Sequence, residues 1–585
     1  NIPFQTYRSA QKIVFGAINK IKSGNISDET FESLKLEQQR NHILALESLD
    51  KRNQKMIEVF AKGLSWNEYL EQVNSIETIT KEELVAVANK YLSDHYFDVK
   101  KKTGKYPNDK IEKPPFKSIE TTSKYEESEY SKWLATLGHE EFQPRYLNFD
   151  DEGRAMQLLN NEPVWLYYTH HSMNEVFNLT LQYEVGSHAM PVLSSLGSYL
   201  NYIGTDKYSV DQLNEKLQQW GSTLNFAVTP AQFTVSVSGF DNHFAETVAL
   251  VSHFLAQPKG DKSKLKKVVK EKKIEEQAIR KSSDELSKAM IEKVKYGEDS
   301  NYINRLSLKE LKRLSAQEYI AALEKVRSTE SNIHYSGSLS ETEVQEVLKN
   351  NLPVKEGYSP TSNPLFKPGR VYERAQVYFY NDPKAAQSIV QGYLVGPVQE
   401  TLRDKHLSLL FNTYFGSGMS SLLFQEIREF RSLAYRVSSS FNNPAIKLSD
   451  KNMLFNILLS TQADKTLDAL EALRLLMQEI PLDEGRLQSA KEALINQAQS
   501  AYPDFREKTR QIAHYKMQGY EHDPNLLLVE EIETLSLDDM RDFYNRYIKN
   551  KPMVYVIVGN RKKIDMNALQ QLGEVKELRL KDIVN

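Results

Sequence analysis

One pattern returns three times along this chain at nearly fixed spacing, and that repetition limits its fold more than any other feature. SIETITKEELVAVANKYL at 75–92, LKRLSAQEYIAALEKV at 311–326 and EIETLSLDDMRDFYNRYI at 531–548 each set a hydroxyl residue (Thr80, Ser315 or Ser536) ahead of acids and an apolar stripe. A hydroxyl there accepts from the free N–H groups of a first helical turn, and acids favour the positive end of the helix dipole. The three caps lie 235 and 221 residues apart. A second helix start precedes each of them: ISDETFESLKLEQQ from Ile26, GDKSKLKKVVKEKK from Gly260 and LDEGRLQSAKEALI from Leu482, by 54, 55 and 54 residues. A period this regular means copies of one supersecondary unit rather than one large core.

Upstream of these helices only two copies are whole. LQYEVGS (181–187) matches QGYLVGP (391–397), and YIGTDKYSVDQL (202–213) matches YFGSGMSSLLFQ (414–425), whereas the same offsets put the first copy's strand before residue 1. Within a whole copy, Ser209 with Gln212 forms a capping box, Val210, Leu213, Leu217 and Trp220 share one helix face, and Gly221 ends the helix. STLNFAVTPAQFTVSVSGF alternates apolar residues around Thr-Pro and predicts a hairpin. Segregated helices on an antiparallel sheet define an α+β sandwich. The expected layout is the C-terminal half of one copy (1–100), a proline- and charge-rich linker (101–160), and complete copies at 161–365 and 366–585.

Composition closes off several functions. A net charge of −3 gives no electrostatic case for nucleic acid or an anionic membrane, and no apolar run reaches the roughly 18 residues of a membrane span. The absence of cysteine excludes disulfides, thiolate zinc sites and a cysteine nucleophile. It suits a periplasm as well as a cytosol.

Candidates for chemistry are few. His170 and His171 are adjacent, so strand geometry points them to opposite faces. HEE at 139–141 lacks the second histidine of H-E-x-x-H, and KSKLKKVVKEKK at 262–273 reads as a solvated helix face. The stretch FGSGMSSLLFQEIREFRSLAY (415–435) lacks the lysine of a phosphate loop. Its glycines permit a tight turn into an amphipathic helix capped by Ser420 or Ser421. On residue grounds alone Arg428 is a solvated charge among Glu426, Glu429 and Arg431, and Tyr435 packs with Leu433 and Val437 on one strand face.

Taken together, the tandem copies, the strand ending VGS, the IGT turn and the GMSS-x-L-F-Q-E-I-R-E-x-R-x-L-A-Y run resemble the pitrilysin/insulinase family of inverted-motif zinc metallopeptidases over nearly the whole chain. The resemblance implies a LuxS/processing-peptidase-like metallopeptidase fold, with four such copies in two halves that close around a peptide. The family's H-x-x-E-H falls here on Ser195, Ser198 and Tyr199, none of which can serve as the family's residues do. Its downstream glutamate ligand falls near Glu271, which among lysines reads as solvated. The implied role is therefore the non-catalytic, substrate-binding part of a zinc endopeptidase. This chain would bind no zinc, the catalytic N-terminal half lying upstream or on another chain. Arg428 and Tyr435 match the arginine and tyrosine that reach the scissile carbonyl, and the lysine run would face the chamber. The alternative is a naturally inactive partner subunit of a processing-peptidase-like complex. Family habit favours the periplasm.

Overall fold

The computed structural model describes residues 6–100, 104, 128–138, 143–158, 162–352, 367–448 and 450–585. They fall into two compact units, one holding Ser27–Thr78 with Tyr146–Asn585 and the other the remaining described residues before Tyr146. The motif HEE at 139–141 lies outside the described residues.

The principal helices are α1 (Tyr7–Lys22), α2 (Asp28–Glu47), α3 (Lys81–Tyr91), α4 (Leu193–Leu200), α5 (Val210–Gln219), α6 (Phe244–Ala256) and α7 (Leu265–Lys281). They continue with α8 (Ser283–Tyr296), α9 (Ala316–Arg327), α10 (Leu402–Phe411), α11 (Thr466–Gln478), α12 (Glu484–Gln499), α13 (Lys508–Gln518) and α14 (Leu537–Tyr547). The repeated caps form as their sequence dictates. Thr80, Ser315 and Ser536 each accept from the backbone of Glu83, Glu318 or Asp539, whose carboxylate returns the bond to the cap's own N–H.

In the larger unit, β1 (Ala155–Gln157), β2 (Val164–His170), β3 (Val176–Tyr183), β4 (Thr223–Val228), β5 (Phe233–Phe240) and β6 (Ser331–Gly337) form one sheet in the order β1-β2-β6-β3-β5-β4. β7 (Gln376–Asn381), β8 (Gln387–Val398), β9 (Arg436–Asn442), β10 (Asn452–Gln462), β11 (Val554–Gly559) and β12 (Glu574–Glu577) form another, ordered β12-β7-β11-β8-β10-β9. Five strands correspond one to one. In each sheet the last strand of the copy, β6 or β11, enters parallel to the first and antiparallel to the second. Only the outer strand differs: β1 precedes β2 and runs antiparallel to it, while β12 follows and runs parallel to β7. The fold class is α+β, in tandem.

Period two explains how a strand as apolar as MVYVIV is used. Tyr555 and Ile557 enter the core with Phe411, Phe455 and Phe543, whereas Val554, Val556 and Val558 face Leu286, Met290 and Val294 of α8. Thus a helix from between the strands of the first sheet in sequence covers the outer face of the second sheet. The exchange is reciprocal: α13, from between the strands of the second sheet, lies on the first sheet, where His334 of β6 meets Thr509 at 3.1 Å. Half-buried Arg506, just before α13, ties the two complete copies further, pairing with Glu47 of α2 at 2.5 Å and donating to the carbonyl of Val176 at 2.9 Å.

Candidate functional site

Helix α4 carries Ser195, Ser198 and Tyr199, the positions that the resemblance assigns to H-x-x-E-H, and its neighbours fill the space. Ser195 Oγ lies 2.9 Å from the hydroxyl of Tyr319, and the rings of Tyr199 and Tyr319 stack with centroids 4.6 Å apart. The Tyr199 hydroxyl accepts the N–H of Asp261 at 2.8 Å. Burial pushes the phenols of Tyr199 and Tyr319 above their ordinary range. Glu271 is a correction to the sequence reading. It is half-buried rather than a solvated face, because it turns inward from α7 and accepts hydrogen bonds from the hydroxyls of Ser198 and Tyr202. That bond, with burial behind it, raises the Tyr202 phenol. The motif positions and the expected glutamate therefore meet in space, but as hydroxyls around one carboxylate. Among the described residues no group of three or more His, Asp or Glu side chains could hold a metal ion. Sequence reasoning missed Tyr202, which stands in the turn just after α4, four residues beyond Ser198.

His170 and His171 part from one another. His170 is exposed at the end of β2, and His171 is buried with its ring 4.5 Å from that of Phe505.

The second candidate is built after α10. The chain passes through a π-helical turn, Asn412–Gly416, and Gly416 is required there because a Cβ would sit 1.9 Å from Ser439 Oγ and 2.5 Å from its backbone nitrogen. Gly418 then takes the left-handed conformation at φ +83°. Arg486 of α12 clamps the loop, donating to the carbonyl of Ser420 at 2.5 Å. The expected serine cap gives way to a different bond. The Ser421 hydroxyl donates to the carbonyl of Gly418 at 2.8 Å, closing the loop on itself.

The next turns depart from a regular α-helix. Phe424–Glu429 is π-helical, with the N–H of Phe430 bonded to the carbonyl of Gln425 at 2.9 Å. Ser432 then adopts φ +51°, and the N–H of Leu433 reaches back to the carbonyl of Ile427 at 2.9 Å, which reverses the chain. The N–H of Tyr435 joins Ser460 of β10 at 3.0 Å. Fully buried Ile427 and buried Ala434 anchor the two arms of this reversal. Their outward neighbours consequently meet. The guanidinium of Arg428 lies 5.2 Å from the Tyr435 ring centroid and 4.5 Å from that of Phe424, with its Nε 3.3 Å from Glu429.

Exposure corrects the residue-level reading of Tyr435. Leu433 and Val437 pack on the core, but Tyr435 is 72% exposed, and the Arg428 side chain remains 38% exposed. A phenol and a guanidinium held side by side and open to solvent supply several hydrogen-bond donors to whatever approaches, with the Glu429 carboxylate beside the guanidinium.

The family model for the peptidase M16 inactive domain matches residues 332–494, which include both side chains. Over those residues the chain is similar to an M16 inactive domain. The Non-peptidase homolog YmxG of Helicobacter pylori is 22% identical over 385 residues, covering 62% of this chain and 86% of its own length. A peptidase M16 inactive domain from Pseudomonas fluorescens superposes with a TM-score of 0.55 at 16% identity, over 70% of this chain and 98% of that one. The periplasmic protease PqqL from Escherichia coli gives 0.54 at 13% identity, covering 95% of this chain but 63% of its own. At such identity the structures speak for the fold alone. The resemblance to M16 peptidases read from the motifs is borne out, and the M16 inactive domain is a non-catalytic part.

Proposed function

We propose that this chain is the substrate-binding part of a zinc-dependent M16 endopeptidase whose H-x-x-E-H lies outside it, and that Arg428 and Tyr435 contact the carbonyl under attack. The observation that carries the reading is the convergence of an open guanidinium and an open phenol at the turn around Ser432. Donors fixed at a developing oxyanion stabilise the transition state over the ground state. Zinc itself does not fit this chain, since serine and tyrosine stand at the ligand positions and are bonded to one another's neighbours.

The first copy supports a missing partner. Helices α1, α6 and α11 all end four residues before the repeated start at Ile26, Gly260 and Leu482. The sheet-facing stripe of α6 (Phe244, Thr247, Val248, Val251) and that of α11 (Thr466, Ala469, Leu470, Leu473) are buried. At the equivalent positions of α1, Ile13 is 62% and Val14 is 56% exposed. Phe97 and Val99, where the other copies place β6 and β11, are fully or almost fully exposed. In our reading residues 1–100 are half a copy, 101–160 a linker, and 161–365 and 366–585 complete copies, and the half-copy is completed by the catalytic portion.

The test combines this chain with the catalytic part. Arg428→Ala and Tyr435→Phe should each lower kcat/KM on the order of 10²-fold, with the double variant losing less than the product. If both remain within about twofold of the parent, the substrate role is wrong. A second reading, a naturally inactive partner subunit, is favoured by the Helicobacter pylori relative, which is named a non-peptidase homolog. It requires that no combination cleaves peptide through this pair.

A further inference from the structure

The lysine run of α7 is not demanded by the fold. Residues 259–273 hold eight lysines against Asp261 and Glu271, a net +6 in a chain whose total is −3. The equivalent windows of the other copies are acidic: 25–39 has one lysine and four acids, and 481–495 has two bases and three acids. All three build the same long helix, so the positive charge is specific to this copy. Like charges spaced four apart, as Lys266 and Lys270 are, oppose helix formation.

Nearby acids do not neutralise the face. Glu271 is turned inward onto Ser198 and Tyr202, Asp261 caps the N–H of Ser263 at 2.7 Å, and Asp206 lies 3.1 Å from His253. Lys272 pairs along the helix with Glu275 at 3.0 Å, whereas Lys262, Lys266 and Lys270 make no ion pair among the described residues. Lys266, Lys270 and Lys273 fall on one stripe of the helix, and Lys266 and Lys273 are exposed.

The helix is also aimed. It ends at Lys281, three residues before Asp284, whose carboxylate takes the guanidinium of Arg436 at 2.6 Å, and Arg436 directly follows Tyr435. The basic face therefore leads away from the Arg428–Tyr435 pair. Its 17 residues span about 25 Å, roughly the length of eight extended peptide residues.

We propose that the lysine face of α7 is a docking surface for an acidic segment of the peptide held at Arg428 and Tyr435. The identity of that peptide as substrate rests on the proposed peptidase role; the charge complementarity does not.

Binding to the full chain alone keeps the two separable. The probe is a fluorescein-labelled octaglutamate, followed by anisotropy beside an uncharged peptide of equal length. The chain should bind octaglutamate and not the neutral peptide, and raised salt should weaken binding. Lys262→Gln/Lys266→Gln/Lys270→Gln should lose roughly tenfold in affinity, whereas Lys549→Gln/Lys551→Gln/Lys562→Gln should match the parent. Equal affinity for the two triple variants overturns the proposal, as does tighter binding of an oligothymidylate of equal charge, which would mark a nucleic-acid surface. The substrate role is read separately, from kcat/KM of Arg428→Ala combined with the catalytic part, so failure of that role and failure of the α7 surface give different patterns.

Discussion

Acidification should loosen the packing between the two complete copies through His334, and the size of the effect comes from its surroundings. The ring is 4% exposed, stacks on Tyr167 at 4.7 Å, bonds Thr509 through Nδ1 at 3.1 Å, and has no partner for Nε2 among the described residues. Burial first, and then the charge of Arg510, push its pKa down from 6.5 to about 3. A histidine kept neutral in the fold but free to protonate when unfolded gives stability that is complete above the unfolded pKa and is lost as pH falls towards the folded one. Each pH unit in that window costs about 1.4 kcal/mol, so the loss is about 2 kcal/mol at pH 5 and on the order of 5 kcal/mol near pH 3. The assay is urea unfolding of the parent and of His334→Phe between about pH 7.5 and about pH 5. The substitution keeps the stacking but removes the titration, and subtracting the two curves cancels every other ionisable group. The parent should lose about 2 kcal/mol more than the variant over this interval. Parallel curves would mean that His334 is protonated in the fold, and would refute the burial argument.

Glu47→Gln or Arg506→Ala should each cost on the order of 1 to 3 kcal/mol, because either leaves its partner's largely covered charge without its counter-ion; a double-mutant cycle should return clear coupling. Gly416→Ala should lower Tm far more than Gly418→Ala, since the first Cβ collides with Ser439 while the second meets open space and only the strain of φ +83°. Zinc-reloaded, desalted protein should carry no stoichiometric zinc by metal analysis; one tightly held ion per chain would mean that the degenerate site has been misplaced.

The repeated caps and the 223–240 hairpin were legible in the sequence, because each depends on neighbours within a few residues or on simple periodicity. A serine accepts from an N–H three residues on, and alternation of two or 3.6 declares which face is apolar, before any tertiary contact exists. Positive φ at Ser432 and the π-helical turn were not legible. Both are strained local choices that only the packing of Ile427 and Ala434 on either side of the reversal makes worthwhile. The same is true of Glu271. Its sequence neighbours are lysines, and its partners Ser198 and Tyr202 stand 73 and 69 residues away, so whether it faced solvent or the degenerate site was decided by how α7 lies against α4. For Tyr435 the alternation with Leu433 and Val437 pointed inward, but the chain reversal delivers it to the surface beside Arg428. Short-range rules thus specified which elements form. Only the tertiary structure decided which side chains, remote in sequence, share a spot, since that depends on contacts whose closure no local pattern encodes.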